Sequence, residues 1–336
     1  MKKILTVSIA AYNVQKYIEN TINSLLVDNI EDLEILVEDD GGTDNTANIV
    51  KKYEEKYPGI IKLVHKENGG YGSTINKSIE LAQGKYFKQL DGDDWYEHEN
   101  FEKFLELLRK TDADVVYTPF LKFFENDNQY EQIDFFDKKI DKIHNLSDII
   151  LKSNHHLNMY TLCYKTEILK TNGIKLLEHC FYTDTQYAMY PITMAKTINI
   201  THIPIYIYRI GREEQSMSLS GHIKHYKDHV RVSKDIIDFY NNKKFSENIK
   251  KYISNYAVKH ITTTISEFYM VLDNTKNNLE EIKKFEKYIL ENSKEIYNRI
   301  EEKSKIIKIL RKTNYNYILY SIMTKLKRKK VKKGYK

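Results

Sequence analysis

Short apolar runs alternate with helical patterns through the first 117 residues, and this alternation is the strongest constraint on the fold. The apolar runs, each short enough for a strand, are 4–9, 33–37, 60–64, 85–90 and 113–117. Between them, apolar residues recur every three or four positions, as on one face of a helix. Strands and helices that alternate in this way form right-handed β-α-β units around a mainly parallel sheet. The sequence therefore predicts an α/β fold, with a Rossmann-like sheet flanked by helices.

Acidic residues follow the fourth apolar run directly. Residues 91–95 read DGDDW, with carboxylates at Asp91, Asp93 and Asp94. In an open α/β sheet, ligands bind beyond the carboxyl ends of the strands, and carboxylate oxygens are ligands of hard divalent cations. Gly92 allows a ligand to approach the backbone closely. The stretch predicts a cation site that holds an anionic leaving group such as a diphosphate, and a solvated acidic turn is the alternative.

Two further loops carry glycine at the ends of the second and third predicted strands. Residues 38–44 read EDDGGTD and residues 68–74 read NGGYGST. Loops at consecutive strand ends meet at one crevice, so the combination favours a ligand site over three unrelated turns. Backbone N–H groups of the second loop, which precedes a helix, can bind anionic or sugar oxygens. Asp39 and Asp44 are interpreted as acids that the helix dipole favours near a helix start.

Composition places the chain among ordinary soluble proteins. It has 336 residues, enough for two domains, with 41% hydrophobic and 30% charged residues. Its two cysteines, Cys163 and Cys180, make neither a disulfide framework nor a zinc site, which favours a reducing cytosol. The apolar run near the N-terminus is too short for a signal peptide and is interpreted as a buried strand. No apolar stretch approaches the roughly 20 residues that span a bilayer.

The C-terminal part differs from the first half in pattern and in charge. A short strand is predicted over 200–208. Beyond residue 222 the apolar spacing is helical, and we predict a helical region at 221–336 after a first domain at 1–220. A last amphipathic segment, 315–326, runs into the tail 325–333, which is rich in lysine and has no acid. Such a block can face an anionic membrane surface or nucleic acid, or stay solvated. The folded part has no evident basic face, so we expect no nucleic-acid partner.

Three stretches together resemble a known family. Residues 7–13 read VSIAAYN, and they are followed by EDDGGTD at 38–44 and DGDD at 91–94. This pattern resembles the family 2 glycosyltransferases of GT-A fold, in which an apolar strand usually ends in P-x-Y-N and is followed by D-D-G-S-T-D and D-x-D-D. The chain departs from the pattern in two places, with alanine for proline at position 10 or 11 and Gly42 for serine. Neither the proline nor the serine supplies essential chemistry. The resemblance is strongest over about 1–120 and weaker over 150–235.

The resemblance implies a nucleotide-sugar site at the strand ends. The half at 1–120 would bind the nucleotide sugar, and the half at 121–220 would face the acceptor. The first-strand end would line the nucleobase pocket through its backbone, at Ala10, Ala11 and Tyr12. Asp40 would accept a hydrogen bond from the base, uracil N3–H in the case of a UDP-sugar.

The resemblance also implies how the sugar and the diphosphate are held. Asp91, next to Gly92, would lie near the ribose. Asp93, together with Asp94, would ligate the Mg²⁺ or Mn²⁺ that bridges the diphosphate. The donor would also be contacted by the glycine loop, at Asn68, Gly69 and Gly70.

A general base is the remaining requirement, because an acceptor hydroxyl is a poor nucleophile at neutral pH. Members of the family place an acid on the acceptor side after the sheet. The segment 181–187, FYTDTQY, is similar to that part of the family, and Asp184 is the predicted base. Glu178 is the fallback. An alternative role for Asp184 is to cap the helix that follows.

A later segment is similar to a family stretch with arginine followed by Q-S-x-S. Here residues 209–218 read RIGREEQSMS. Arg209 or Arg212 could supply a bidentate fork to phosphate, and Ser216 and Ser218 could add hydroxyl donors. A surface loop is the alternative.

We therefore predict a metal-dependent, inverting glycosyltransferase that moves a sugar from a UDP-sugar to an acceptor hydroxyl. The expected acceptor is a cell-surface glycan, carried on a lipid, in bacterial polysaccharide or glycoconjugate synthesis. The expected location is the cytoplasm, at the inner face of the plasma membrane through the basic tail.

Two other functions remain open at this point. The first is a sugar-phosphate nucleotidyltransferase, which usually places its glycine-rich loop after the first strand and which Ala10–Ala11–Tyr12 disfavours. The second is a catalytically silent glycan-binding module, which the intact acids disfavour.

Overall fold

The computed structural model describes residues 3–140, 142–151, 156–211, 219–272 and 275–334. The chain divides into two compact units, Met1–Arg212 and Glu213–Lys336. The predicted domain boundary at 220 stays a prediction, because residues 212–218 lie outside the described part.

Unit 1 holds all the described strands and seven of the described α-helices. The strands are β1 Leu5–Ala11, β2 Leu33–Asp40, β3 Ile61–Lys66, β4 Tyr86–Asp91, β5 Trp95–Tyr96, β6 Val115–Tyr117, β7 Phe120–Phe124, β8 Gln129–Ile133, β9 Lys142–Asn145, β10 Leu162–Lys165, β11 Thr197–Ile200 and β12 Tyr206–Ile210. The helices are α1 Ile18–Asn23, α2 Thr46–Lys56, α3 Tyr71–Leu81, α4 His98–Lys110, α5 Leu146–Ile149, α6 Thr166–Thr171 and α7 Asp184–Met189. Short 3₁₀ turns lie at Ile30–Asp32, Met159–Thr161 and Pro191–Met194.

The main sheet has eight strands in the order β3-β2-β1-β4-β10-β6-β11-β9. The first four strands in the chain pair in parallel, and β2 is buried at all eight positions. Parallel strands covered by helices on both faces read as near-continuous apolar runs, which is why these strands could be recognised in the sequence. The predicted α/β architecture with a mainly parallel sheet is confirmed.

A second sheet has four strands in the order β5-β12-β7-β8, and its first strand in the chain follows the turn after β4. Its edge strand β5 begins at Trp95, directly behind the acids at the end of β4, and pairs antiparallel with β12. The sequence predicted one strand over 200–208. This was wrong, because that stretch contains the end of β11 and the start of β12, which belong to different sheets.

Unit 2 is helical in its described residues. Its helices are α8 Leu219–Lys224, α9 Tyr226–Asn242, α10 Glu247–Thr263, α11 Thr275–Asn292, α12 Lys294–Lys303, α13 Lys305–Lys312 and α14 Tyr317–Gly334, with a π-helical turn at Thr264–Tyr269. Within the described residues, no helix has both the length and the apolar character to cross a membrane.

Candidate active site

The carboxyl ends of four parallel strands lie side by side. The strand register pairs Ala10 with Asp91, Ala11 with Asp39, and Asp40 with Lys66. Residues distant in the chain therefore begin their loops at the same edge of the sheet. The edge is the place where an open α/β sheet binds its ligands.

The carboxylate of Asp40 binds backbone N–H groups of the glycine loop. Its Oδ1 accepts a hydrogen bond from Gly69 N–H and its Oδ2 accepts one from Gly70 N–H, both at 2.9 Å. Its carboxylate also forms an ion pair with Lys66, and its backbone carbonyl accepts from Asn68 Nδ2 at 2.9 Å. Both carboxylate oxygens are thus occupied by the chain itself. The predicted contact of Asp40 with the nucleobase stays a prediction.

The neighbouring acids hold the loop between β2 and α2. Asp39 is buried, and its Oδ1 accepts from Gly42 N–H while its Oδ2 lies 2.7 Å from His65 Nδ1. Asp44 Oδ1 accepts from the N–H of Thr46, the first residue of α2, at 2.9 Å. Asp44 therefore acts at the helix start, whereas Asp39 fixes the turn at the strand end.

Gly92 and the end of β1 are in direct contact. Gly92 N–H donates to the carbonyl of Ala10 at 2.9 Å, and a Cβ at this glycine would lie 2.9 Å from the same oxygen. Only glycine fits this approach without a shift of the backbone. Tyr12, two residues beyond Ala10, is 53% exposed.

The acids at the end of β4 form a cluster of like charges. Asp91 Oδ1 accepts a hydrogen bond from Tyr71 Oη at 2.7 Å. Burial, and then the nearby charge of Asp93, raise the pKa of Asp91 to about 7, and Asp184 adds to this rise. The charge of Asp184 therefore acts on the acidic turn, although Asp184 comes from the start of α7.

Asp94 is the most buried of these acids and is fully engaged. Its Oδ2 accepts from Tyr206 Oη at 2.6 Å and its Oδ1 from Arg209 N–H at 2.9 Å. Burial, followed by the charges of Asp93 and Asp91, raises the pKa of Asp94 well above its usual value. Both oxygens of Asp94 tie the turn to β12, so its predicted role as a metal ligand has no support from these contacts and stays a prediction.

Arg209 braces the acidic turn from β12. Its Nε donates to the carbonyl of Asp93 and its Nη1 to Glu125, both at 3.0 Å. The guanidinium lies 4.6 Å from the ring centroid of Trp95 and 5.0 Å from that of Tyr17. Through these contacts Arg209 positions the acidic turn. The predicted contact of Arg209 with a donor phosphate stays a prediction.

The segment before Asp184 packs on the glycine loop. A Cβ at Gly72 would lie 2.1 Å from the carbonyl oxygen of Leu177, and His179 N–H donates to the carbonyl of Gly69. Glu178 accepts from Asn76 Nδ2 at 3.0 Å. Glycine at these positions therefore lets two chain segments meet, which is a structural requirement in addition to any ligand contact.

Asp184 is the first residue of α7, and its N-cap is Thr183. Backbone N–H groups of Asp184 and Thr185 nevertheless bond to the Asp184 carboxylate, so the capping role stays a prediction. Burial raises the pKa of the Asp184 carboxyl above its usual value, and its charge acts on Asp91 and Tyr71. An acid in this environment is a better proton acceptor than a solvated aspartate.

Comparison with known proteins identifies the family. Residues 6–171 match the sequence model described as glycosyl transferase family 2. An uncharacterized glycosyltransferase of Mycoplasma pneumoniae is 30% identical over 244 residues, which cover 69% of this chain and 77% of that protein. The chain is a family 2 glycosyltransferase.

Two further comparisons of this glycosyltransferase are with a teichoic acid biosynthesis protein and with a solved structure. The minor teichoic acid biosynthesis protein GgaB of Bacillus subtilis is 28% identical over 241 residues, which cover 69% of this chain and 26% of GgaB. The crystal structure of S. aureus TarS 1–349 in complex with UDP-GlcNAc superposes with a TM-score of 0.71 at 20% identity, covering 98% of this chain and 92% of that one. The likeness confirms the GT-A fold.

A metal site in the glycosyltransferase can be tested against its donor atoms. Among the described residues, no group of three or more His, Cys, Asp or Glu side chains is arranged to hold a metal ion. Mg²⁺ commonly binds through one or two carboxylates plus substrate phosphates. Asp91 and Asp93 could supply two such carboxylates, because the charge of Asp93 raises the pKa of Asp91 and a cation would relieve this repulsion.

Several residues of the glycosyltransferase site had no sequence signal. Tyr206 bonds to an acid 112 positions away, and no local pattern marks it. Tyr71 had a weak signal, because it lies inside the glycine loop. Ser216, predicted to contact the donor, and Arg212 lie outside the described residues.

A cavity of about 800 Å³ borders the glycine loop. It is lined by residues of that loop, of α3 and of the segment before Asp184, including Lys66, Asn68, Ser73, Asn76 and Glu178. No aspartate of the acidic turn lines it among the described residues. The cavity therefore borders the glycine loop and not the aspartates of the acidic turn.

Proposed function

We propose that this glycosyltransferase moves a sugar from a UDP-sugar to an acceptor hydroxyl with inversion at the anomeric carbon. The observation that carries the proposal is the acidic cluster beyond the strand ends, where the charges of Asp93 and Asp184 both act on Asp91. The resemblance to the TarS fold, solved with UDP-GlcNAc and with UDP, supports the choice of a uridine nucleotide. The fold by itself does not select the donor.

In the proposed reaction, Asp184 takes the proton of the acceptor hydroxyl as that oxygen bonds to the anomeric carbon. The bond from this carbon to the β-phosphate oxygen breaks, and UDP leaves on the opposite face. A divalent cation, when bound at Asp93 with Asp91, would stabilise the charge that develops on the diphosphate. Tyr71 and Arg209 hold Asp91 and the backbone of Asp93 in place.

The proposed acceptor is a glycan on a lipid carrier at the inner face of the plasma membrane. Its support is the likeness to GgaB, whose name links it to teichoic acid synthesis.

The test is donor turnover by the full chain with a panel of nucleotide sugars, with and without Mn²⁺. We expect UDP release, an activation by Mn²⁺, and a loss of 100-fold or more, on the order expected for a general base, in Asp184→Asn. Asp93→Asn should lower the affinity for Mn²⁺. Asp127→Asn, in the β7–β8 turn, is the matched control and should retain full activity.

Three results would count against the proposal. Release of pyrophosphate in place of UDP would indicate a nucleotidyltransferase. Full turnover in Asp93→Asn and Asp184→Asn would show that these two acids do not form the active site. Donor binding without any turnover by the wild-type chain would favour a silent glycan-binding module.

A further inference from the structure

The last 34 residues of the chain carry one sign of charge. Residues 303–336 contain 13 lysines and arginines and neither aspartate nor glutamate. The helix α14 occupies much of this stretch. A segment of this charge attracts anionic surfaces, with a contribution from each cation that lies near the surface.

One face of α14 packs against the rest of unit 2. Tyr320 and Thr324 are fully buried on this face, and Tyr320 Oη donates to the carbonyl of Tyr269 at 3.0 Å. Lys327 forms an ion pair with Glu267 one turn further along. These contacts fix the rotation of the helix, and therefore fix which residues face outward.

The outward face of α14 is apolar. Ile318, Ile322 and Leu326 are 69%, 50% and 63% exposed, and their spacing of four places them in one row along the helix. With Tyr317 they make up four of the ten exposed large apolar side chains in the described residues. We call this row the α14 stripe.

Lysines lie beside the α14 stripe on the same side of the helix. Lys325 and Lys329 are exposed, and helical spacing places them within one turn of Ile322 and Leu326. An apolar row flanked by lysines is the arrangement of a helix that lies in the plane of a bilayer interface. The row would enter the acyl boundary while the ammonium groups reach the headgroups.

We propose that the α14 stripe is a docking surface for an anionic lipid bilayer. Two other occupants fit the same surface less well. Nucleic acid would satisfy the lysines but would leave three branched aliphatic side chains against a polar backbone. A second copy of this chain would cover the aliphatic side chains but would bring two sets of lysines together.

This inference concerns a surface of unit 2. It does not depend on the identity of the sugar that is transferred by unit 1. It adds to the proposed function by naming the partner that would bring the enzyme to a lipid-borne acceptor. Vesicle binding and donor turnover are separate measurements, so either proposal can fail while the other stands.

The experiment is flotation of the full chain with vesicles of phosphatidylglycerol and phosphatidylcholine, and with vesicles of phosphatidylcholine alone. We expect binding to the anionic vesicles that weakens as salt is raised. The triple change Ile318→Ser, Ile322→Ser, Leu326→Ser should weaken binding about tenfold or more, and so should the pair Lys325→Gln, Lys329→Gln. Both variants should keep the wild-type melting temperature, because all five side chains are exposed.

Matched controls change exposed side chains of the same kinds elsewhere. Ile143→Ser with Leu290→Ser removes two exposed apolar side chains, and Lys51→Gln with Lys52→Gln removes two exposed lysines from α2. Both should bind vesicles as the wild type does.

The proposal is overturned if the wild-type chain does not float with anionic vesicles, or if the stripe variants bind as tightly as the controls. Equal binding to neutral vesicles would remove the role of the lysines. A dimer in sedimentation velocity that the triple change dissociates, with no vesicle binding, would assign the stripe to self-association.

Discussion

At the scale of single residues, the acids of this site differ in what their oxygens do. Asp40 and Asp94 each have both carboxylate oxygens engaged by the protein. Asp91 uses one oxygen for Tyr71. Carboxylates that are fully hydrogen-bonded within the fold hold loops in position, whereas a carboxylate with capacity to spare can take a cation or a proton.

Glu38, two residues before Asp40, is a buried acid outside this cluster. Its Oε1 accepts from Ser78 Oγ at 2.8 Å, and its Oε2 is buried with no hydrogen-bond partner among the described residues. Burial raises the pKa of Glu38 from 4.5 to about 7. Because the folded state binds this proton more tightly than the unfolded state does, the resulting stability is complete below about pH 4.5 and is lost as the pH rises through 7.

We expect Glu38→Gln to remove this pH dependence. The free energy of unfolding at pH 8 should rise by up to about 3 kcal/mol relative to wild type, because no buried charge has to form. Urea denaturation at pH 5 and pH 8 measures the difference. Glu106→Gln, on the exposed side of α4, should leave the wild-type dependence unchanged. An unchanged dependence in Glu38→Gln as well would mean that another group is responsible.

At the scale of elements, strand β12 connects the small sheet to the acidic turn. Tyr206 bonds to the carboxylate of Asp94 and to the N–H of Asp91, while Arg209 bonds to the carbonyl of Asp93. From α1, Thr21 Oγ1 donates to the carbonyls of Gly92 and Asp94. The turn is therefore held from both sides by elements that are remote in the chain, which keeps its acids in one geometry.

Arg209→Lys tests this bracing. Lysine keeps the positive charge but loses the planar fork and its stacking on Trp95, so the turn should loosen. We expect a loss of about 1–3 kcal/mol in unfolding free energy and a weaker activation by Mn²⁺ at unchanged metal selectivity. Arg231→Lys on α9 is the matched control. Unaltered Mn²⁺ activation in Arg209→Lys would show that β12 does not set the geometry of the turn.

At the scale of the whole molecule, burial favours the neutral form of titratable groups in both units. It raises the pKa of Glu38 in unit 1 and lowers the pKa of His229 and His260 in unit 2. In unit 2, His222 Nδ1 lies 3.0 Å from His229 Nε2, and His260 lies 3.2 Å from the carbonyl oxygen of His229. Burial lowers the pKa of His229 and lowers that of His260 to about 4. Stability from these neutral histidines is present above pH 6.5 and is lost as the pH falls towards 4.

We expect unit 2 to lose stability on acidification earlier than unit 1. His260→Gln retains a donor for the carbonyl of His229 and cannot be protonated, so its melting temperature should fall less between pH 7 and pH 4.5 than that of the wild type. Differential scanning calorimetry over this range makes the comparison. His98→Gln, exposed on α4, should follow the wild-type curve; a parallel shift in His260→Gln would exclude this cluster as the cause.

The sequence by itself determined the α/β class, the strand ends that carry acid and glycine, and the family. The reason is that strand and helix periods, turn residues and the order of motifs are local properties, readable within about ten residues. The parallel strands were recognised because burial on both faces made them continuous apolar runs. The stretch 200–208 was read as one strand because a change of sheet leaves no local mark.

Only the tertiary structure decided which side chains share the site and what each one does there. It brought Asp184 within electrostatic reach of Asp91, showed that Asp40 binds the glycine loop, and gave Arg209 the acidic turn as its partner. These assignments depend on hydrogen bonds and charges between residues that lie from 29 to 116 positions apart in the chain. Such contacts are set by how the strands order themselves in the sheet, and no pattern within a single segment encodes that order.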